Sequence, residues 1–402
     1  MLTRLDEHFK DSREGQEAAA ILQSCVHCGF CTAACPTYRL LGDERDGPRG
    51  RIYLIKAMLE GEPATERTQS HLDRCLGCRA CESACPSGVR YGRLADLARG
   101  IIEEQRSRPA MERLERKLLR MFLPYPSRFA PWVGLARRLR PLLPAVLRNK
   151  LPPASGTPPW PPARHRRTML ALGGCVQPVL APSIDATAAR VLDRFGISLI
   201  RVPASGCCGA LSHHLGAHGE GLDFMRRNVD AWWPAIEAGA EAIVITASGC
   251  GVVVKEYGEL LRDDPAYADK AARVSELARD LSEVVAAEDW TSLAPLATRR
   301  IAFQSPCTLQ HGQHLDGVVE ALLQRLGFEL TPVADAALCC GSAGTYSLLQ
   351  PELSSRLRDD KLRNLEAGEP EVIATANIGC LLQLASGTRR PVRHWVELLD
   401  RC

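Results

Sequence analysis

Eight of the seventeen cysteines fall in two runs, Cys25-x2-Cys28-x2-Cys31-x3-Cys35 and Cys75-x2-Cys78-x2-Cys81-x3-Cys85, each followed at once by proline, Pro36 and Pro86. Thiolates at that spacing are iron ligands. Three of them two residues apart on a tight turn grip three irons of one cubane, and the fourth, ahead of a proline that redirects the chain, reaches the other cubane. The expected sets are Cys25, Cys28, Cys31 and Cys85 for cluster I and Cys75, Cys78, Cys81 and Cys35 for cluster II, two [4Fe–4S] clusters in all. A disulfide scaffold and zinc sites are the rival readings, since C-x2-C pairs also serve zinc. Zinc asks for one closed four-ligand site, which leaves a duplicated run with its two prolines unexplained. Such a chain moves electrons.

A second cysteine system begins near residue 168. Cys175 precedes the pair Cys207-Cys208 by 32 positions, and Cys307 precedes Cys339-Cys340 by 32 as well. Glycine follows each pair (Gly209, Gly341), and a last cysteine comes at Cys250 and Cys380. The flanking sequence repeats too, AIVITASGC against EVIATANIGC and MLALGGC against IAFQSPC. Two homologous domains of about 130 residues follow from the period. Their lone cysteines come just after β-prone runs at 169–172, 242–246, 300–303 and 372–375, with helical patterns between, at 184–195, 224–238, 318–326 and 353–366. Alternating strand and helix implies parallel sheets flanked by helices, with ligands gathered beyond the carboxyl ends of the strands. Cys175, Cys207, Cys208 and Cys250 should therefore converge on one site and Cys307, Cys339, Cys340 and Cys380 on a second. Gly209 and Gly341 would let the main chain approach a cluster without a Cβ clash. Spacing does not choose the metal. A four-cysteine iron–sulphur cluster, a zinc ion, or reduced thiols lining a quinone or partner contact all stay open, with His213, His214, His311 and Asn377 as candidate completing groups.

These sites need elements to hold them. The expected fold is α+β and multidomain: a helical two-cluster ferredoxin-type domain at 1–112, a basic Pro/Leu/Arg-rich linker at 113–167, and two α/β domains with parallel sheets at 168–297 and 298–402. A helix at 51–60, where Ile52, Ile55, Met58 and Leu59 recur at helical spacing, fits between the cysteine runs. The run PPASGTPPWPP reads as an extended spacer. Arg49, Arg51 and Arg90 lie close enough to the runs to offset cluster charge, or are surface arginines. Cys402 fits no motif and reads as a frayed thiol.

Composition narrows the classes. With 46% hydrophobic and 24% charged residues the chain is of ordinary globular make-up, and no stretch reaches the roughly 18 apolar residues of a membrane span. The polar N-terminal stretch offers no signal-peptide core, so the expected location is the cytoplasm, where seventeen cysteines argue for metal-bound thiols over disulfides. The formal charge of +3 hides a local excess: residues 116–167 hold twelve Lys and Arg and no Asp or Glu. That stretch either wraps an acidic partner subunit or, with Phe122, Phe129, Trp132 and leucines between its arginines, makes peripheral contact with the inner face of the cell membrane. Nucleic acid is not an expected partner, the rest of the chain being net acidic and without a reader motif. No G-x-G-x-x-G, P-loop, C-x-x-C-H or Ser/His/Asp constellation is visible. Hydride chemistry on an organic substrate would then need a flavin carried by a partner.

With both cysteine systems in view, the chain resembles the glycolate oxidase (glycolate dehydrogenase) iron–sulphur subunit family essentially end to end. The most specific stretches are CVHCGFCTAACPTYRLLGDERDGPRGRIYLIKAMLEG from Cys25, DRCLGCRACESACPSGVRY from Asp73, VDAWWPAIEAGAEAI from Val229 and LCCGSAGTYSL from Leu338. The repeated part is similar to the CCG cysteine-rich domain of heterodisulfide reductase subunits, in which a C-x2-C closes a five-cysteine site. Here Ala247 and Asn377 stand where the extra cysteine would be. Subunits of lactate-utilisation and glycerol-3-phosphate dehydrogenase enzymes share the architecture. The resemblance implies two FAD-binding-type partner subunits that oxidise glycolate to glyoxylate. Electrons would then leave through the ferredoxin-type clusters and the CCG domains toward a quinone or other membrane acceptor, with no hydroxy-acid oxidation site on this chain. The equivalent lactate or glycerol-3-phosphate subunit, or a thiol-chemistry subunit like the heterodisulfide relatives, is the alternative.

Overall fold

The computed structural model describes residues 1–142, 151, 156–290 and 299–400. Cys402 lies outside them. The N-terminal part is helical. Arg13–Gln23, Pro48–Leu59 and Tyr91–Gln105 turn their apolar faces onto one core built around Leu22, Ile55, Leu59, Leu72, Leu94 and Ile102. Ser12 caps the first of these helices by accepting from Gly15 N, and Pro48 opens the second, where a missing N–H leaves nothing unpaired. Both cysteine runs lie at the edge of this core, Cys75 and Cys81 within it and Cys25, Cys31 and Cys85 packed against it.

The repeated part forms two four-stranded parallel sheets. Strands β1 (Arg167–Ala171), β2 (Ile197–Arg201), β3 (Ile243–Ile245) and β4 (Ala278–Asp280) run in the order β2-β1-β3-β4. Strands β5 (Arg300–Gln304), β6 (Glu329–Leu330), β7 (Val372–Thr375) and β8 (Val392–His394) run in the order β6-β5-β7-β8. The topologies match strand for strand, so the sequence period is a period of the fold. Ser183–Arg194, His218–Glu237, Val318–Arg325 and Pro351–Glu366 are the helices that the pattern predicts, each within a few residues except for the longer start of His218–Glu237. The wholly apolar runs became β3 and β7, buried along their full length as central parallel strands must be. Sequence pattern did not mark β2, β4, β6 or β8; β6 is two residues long, too short for any alternation to register.

The two sheets do not stand apart. Phe303, Leu309, Ala376 and Trp395 of the second half join Ala171, Ala247, Leu281 and Val285 of the first in one apolar core. Ser248 N donates to Ala376 O at 3.2 Å where the ends of β3 and β7 meet. His394 closes the same seam, its Nε2 donating to Thr246 O at 2.9 Å while its Nδ1 accepts from Val396 N at 3.3 Å.

The basic stretch read as a linker holds two helices, Ala110–Phe122 and Pro126–Arg138, joined by an edge-on contact of Phe122 with Trp132 at 6.1 Å. Leucine and arginine are good helix formers, and the pattern between the prolines is amphipathic, which is why this part is helical and not extended. Of the Pro-rich run, residues 152–155 lie outside the described part, while 156–162 are without helix or strand, and Trp160 Nε1 ties them to Leu199 O of β2 at 2.9 Å.

Candidate metal centres

Both N-terminal cysteine runs fold into the same loop. His27 (φ 54°) and Gly29 (φ 86°) flank Cys28, as Gly77 (φ 64°) and Arg79 (φ 60°) flank Cys78. Each loop thus takes two left-handed steps about its middle cysteine, a region that glycine enters freely and other residues enter only when held. Short helices, Phe30–Ala33 and Ala80–Ser83, then carry Cys31 and Cys81. The runs trade their fourth members. Burial pushes the Cys31 thiol up, and the charges of Cys25, Cys85 and Cys28 push it further. Burial likewise raises Cys81, with Cys78, Cys75 and Cys35 adding to it. Cys31 and Cys81 thus each lie in the fields of the other three members of their expected groups.

Donors converge on the sulphurs. Gly77 N and Tyr91 Oη reach Cys75 Sγ at 3.5 and 3.8 Å, Val89 N reaches Cys85 Sγ at 3.5 Å, and Arg51 Nη1 reaches Cys35 Sγ at 3.9 Å. Burial would raise Cys75, yet Arg51 and Arg99 outweigh it and hold that thiol below its ordinary value. An all-sulphur donor set, thiols raised by one another's charge and N–H groups aimed at sulphur fit a bound iron–sulphur cluster. Arg51 is no surface residue. It is 1% exposed and anchored by Thr37, His71 O and the equally buried Asp46, whose carboxylate also takes His71 Nδ1 and Arg74, each at 3.0 Å. Asp46 was missed by sequence reasoning, an aspartate eleven residues past Cys35 having no spacing signal of its own. Arg49 pairs with Glu44 at the rim of the first group, and Arg90 reaches away to Glu259.

In the repeated part all eight cysteines lie just beyond strand carboxyl ends. Cys175 follows β1, Cys207-Cys208 follow β2, and Cys250 rides on the helix Ser248–Lys255 after β3. Cys307, Cys339-Cys340 and Cys380 repeat this after β5, β6 and β7, Cys380 on the helix Ile378–Ala385. Within each set neighbouring thiols act on one another in turn, 175 on 207, 207 on 208 and 208 on 250, and likewise 307, 339, 340 and 380. Cys340 and Cys380 stand 3.1 Å apart. The glycine after each pair has a reason other than the one expected. Gly209 (φ 89°) and Gly341 (φ 80°) need the left-handed region, and a Cβ there would meet Gly221 O at 2.6 Å and Ser354 O at 2.5 Å on the next helix, so they serve helix contact. Of the four candidate completing groups only Asn377 reaches a cysteine, its Nδ2 lying 3.7 Å from Cys380 Sγ. His214 bonds Asp96 at 3.0 Å, His213 stacks on His218, and His311 Nδ1 bonds Ser83 Oγ at 2.8 Å.

That last bond marks a junction no spacing could reveal. Cys78 of the second ferredoxin-type group is raised by burial and then by the charge of Cys307, while Cys78 in turn acts on Cys339. Tyr346, buried with its hydroxyl unpartnered, lies within the fields of both Cys75 and Cys339. The first repeat's set then adjoins the second: Ser248 Oγ meets Thr308 Oγ1 at 2.8 Å, and a Cβ on Gly249, beside Cys250, would lie 3.7 Å from Asn377 Nδ2.

Known proteins share this arrangement. A 4Fe-4S dicluster domain matches residues 21–89, and a cysteine-rich domain matches twice, at 170–255 and 301–385. Over 402 residues the sequence is 55% identical to the glycolate oxidase iron-sulfur subunit of Escherichia coli, covering 100% of this chain and 99% of that one. The chain belongs to the glycolate oxidase iron–sulphur subunit family. A probable glycolate oxidase iron-sulfur subunit of Bacillus subtilis is 32% identical, covering 97% of this chain and 93% of its own length. Lactate utilization protein A of Shouchella clausii is more distant, 24% identical over 56% of this chain and 95% of its own length. The fold also matches a hypothetical protein from Helicobacter pylori with a TM-score of 0.53 at 11% identity, across 97% of this chain and 72% of that one. As a glycolate oxidase iron–sulphur subunit family member, the chain is an oxidoreductase component with an electron-transfer role. Among the described residues no helix is long and apolar enough to cross a membrane.

Proposed function

We propose that this chain is the electron-transfer subunit of a flavoprotein glycolate dehydrogenase complex, receiving electrons from FAD on two partner subunits and delivering them toward a membrane quinone. The junction of Cys78 with Cys307 and Cys339 carries this reading, because it makes four separate thiol groups one continuous series. In it Cys25, Cys28, Cys31 and Cys85 hold one [4Fe–4S] cluster, Cys75, Cys78, Cys81 and Cys35 the other, and the two repeat sets hold further iron–sulphur or zinc. Bound there, iron–sulphur clusters supply the one-electron carriers that a two-electron flavin needs to reach a distant acceptor.

The chain's own residues set the terms. Arg51 and Arg99 place positive charge beside the second group, and the buried Tyr346 lies within the fields of both Cys75 and Cys339. Cys28 is the exposed member of the outermost group, the side a flavoprotein would approach. Oxidation of glycolate to glyoxylate belongs to the partners' flavin, and the complex works in the cytoplasm or against the inner face of the cell membrane. Metal analysis of anaerobically purified protein is the test. About eight irons per chain with matching sulphide support the two ferredoxin-type clusters alone, and about twelve to sixteen add the repeat sets. Little iron with stoichiometric zinc, in protein never exposed to oxygen, would overturn the proposal.

A further inference from the structure

The helices Ala110–Phe122 and Pro126–Arg138 present a surface that the fold itself does not use. On the first, Met111, Leu114, Leu118 and Met121 recur at steps of three, four and three residues; on the second and just beyond it, Trp132, Leu135, Leu139 and Leu142 do the same. All eight are exposed, Met111 at 75% and Leu142 at 81%. Residues 110–142 contribute a single side chain, Val133, to the buried hydrophobic residues. The stripes adjoin where Trp132 meets Phe122, next to Met121. Around them residues 110–142 hold eight arginines and lysines against two glutamates. Apolar stripes of Leu, Met and Trp between basic residues are what a helix lying in a lipid interface requires: the stripe enters the acyl boundary, and the long arginine stems keep their charge among anionic headgroups.

The hairpin is held in a definite place. Arg116 pairs with Asp73 at 3.1 Å on the ferredoxin-type domain and Arg120 with Glu220 at 3.2 Å on the first repeat. Tyr125 packs on Phe224 at 5.5 Å, and the Arg227 guanidinium, which acts on Cys207, lies over the same Phe224 ring at 4.9 Å. The second helix also packs against Gln177–Leu180, the turn that follows Cys175. The amphipathic pair thus borders the first repeat's cysteine set, the set farthest along the series from the ferredoxin-type groups.

We infer that the 110–142 hairpin is the membrane-contacting face of this protein, lying flat on an anionic lipid surface and holding the Cys175/Cys207/Cys208/Cys250 set beside it. The inference rests on the electron-transfer reading above only in giving that proximity a purpose, since a lipid-dissolved acceptor must be met at the surface by a chain with no described span. A protein partner would also cover apolar side chains, but the charge surrounding these stripes is complementary to anionic lipid.

Flotation of the complete, cluster-loaded chain with vesicles tests it. Vesicles containing phosphatidylglycerol should carry the protein at low salt and release it at high salt, while pure phosphatidylcholine vesicles should bind it far less. Leu114→Glu combined with Leu118→Glu should lower the partition by about tenfold or more, with iron content and, in the complex with its flavoprotein partners, glycolate-driven reduction of a soluble dye unchanged. Should that pair lose iron, Leu114→Ser with Leu118→Ser replaces it. Failure of the wild-type chain to float with phosphatidylglycerol, or equal flotation of the variant, overturns the inference. Equal binding to phosphatidylcholine removes the role given to the arginines. Loss of flavoprotein co-purification with vesicle binding intact makes the face a protein interface instead. A chain that floats normally but passes no electrons would end the electron-transfer reading and leave this one standing.

Discussion

The two repeats share a topology and a cysteine pattern, yet they hold their thiols by different electrostatics. In the first, Asn228 grips the main chain of the pair: its Oδ1 accepts from Gly206 N at 2.8 Å, and its Nδ2 donates to Cys207 O at 2.8 Å and to Tyr257 Oη at 3.1 Å. Tyr257 in turn donates to Cys208 O. The groups that grip the main chain are neutral, and the site's cation is Arg227, whose Nη2 would lie 2.7 Å from a Cβ on Gly206 and whose charge lowers Cys207. In the second, the corresponding position is Lys361. Asn228 comes seven residues after Gly221 and Lys361 seven after Ser354, the two residues whose carbonyls meet the conserved-in-the-repeat glycines. Lys361 is fully buried and bonds only main-chain oxygens, Ala336 O at 2.7 Å and Asp335 O at 3.3 Å. Burial lowers its pKa, and Cys340, Cys339 and Cys380 work against that. A buried cation without a carboxylate is tolerated when other negative charge is at hand. Duplication has therefore kept the scaffold and moved the cation, from an arginine beside Gly206 and Cys207 in the first repeat to a fully buried lysine in the second, whose set abuts the ferredoxin-type group.

The largest effect should come from breaking the series at unequal points. Cys339→Ser should abolish electron delivery to quinone and leave both repeat sets unreduced by the flavin. Cys207→Ser should abolish delivery too, yet leave the second set reducible. Freeze-quench spectra of the complex distinguish the cases, and equal reduction of the first set in the Cys339→Ser chain would show that the series does not run in this order. Next in size is the support itself. Asn228→Leu leaves Gly206 N, Cys207 O and the Tyr257 hydroxyl short of partners, a loss of about 2–4 kcal/mol in urea unfolding. Lys361→Met should cost less stability but lower the midpoint potential of a cluster held by the second set. A charge interaction on the order of 1–2 kcal/mol corresponds to roughly 40–90 mV for a one-electron couple. If Lys361→Met leaves the potential unmoved while Asn228→Leu shifts that of the first set, the electrostatic contrast is wrong.

A smaller and pH-dependent effect concerns the seam between the repeats. Burial lowers His394 to about 4, so the folded chain keeps it neutral and donating to Thr246 O. The unfolded chain protonates it near 6.5. Its contribution is whole above 6.5 and falls by about 1.4 kcal/mol per pH unit down to the folded value. The stability gap between wild type and His394→Gln should shrink by that slope between pH 6.5 and 5.5. A gap constant across that interval would mean that His394 takes up its proton equally in the folded and unfolded chain. Burial raises Asp185 and Asp280 to about 6, with the opposite slope. The difference between the two proteins, not the wild-type curve, is therefore the quantity to measure.

Cysteine spacing was legible because ligand geometry is local: two residues between thiols fix a turn, and a spacing of 32 residues that recurs in both halves fixes which strand ends supply the rest. Spacing predicts the groups 25/28/31/85 and 75/78/81/35, where Cys31 and Cys81 lie in the fields of their three expected partners, and two repeat sets, which lie beyond matching strand ends. What spacing cannot express is which repeat's cysteine set adjoins the second ferredoxin-type group: both repeats pack on that domain, the first through His214 with Asp96 and Glu259 with Arg90, and only side chains distant in sequence, such as Ser83 and His311, place the second repeat's set there. Arg51 shows the same limit. Its nearness to Cys35 was foreseeable, but its burial depends on Asp46, His71 and Thr37, none of which carries a periodic signal. The hairpin at 110–138 was hidden by its prolines, which mark helix starts here as readily as breaks.

The smallest expected effect bears on the position where relatives with a fifth cysteine differ from this chain. Asn377 Nδ2 lies 3.7 Å from Cys380 Sγ and faces Gly249 of the first repeat, whereas the equivalent Ala247 offers its set nothing. A hydrogen bond to sulphur favours the more negative state of whatever the thiolates hold, so its loss lowers the potential. Asn377→Ala should therefore shift the second set downward by roughly 20–40 mV, taking the bond at about 0.5–1 kcal/mol. Ala247→Asn should move the first set upward by less, because Ala247 is buried and the larger side chain must find room beside Ala376. Were both substitutions to shift the same set, the two sites would be one coupled centre, and the contrast between a receiving site supported by a buried lysine and a delivering site gripped by Asn228 and Tyr257 would dissolve.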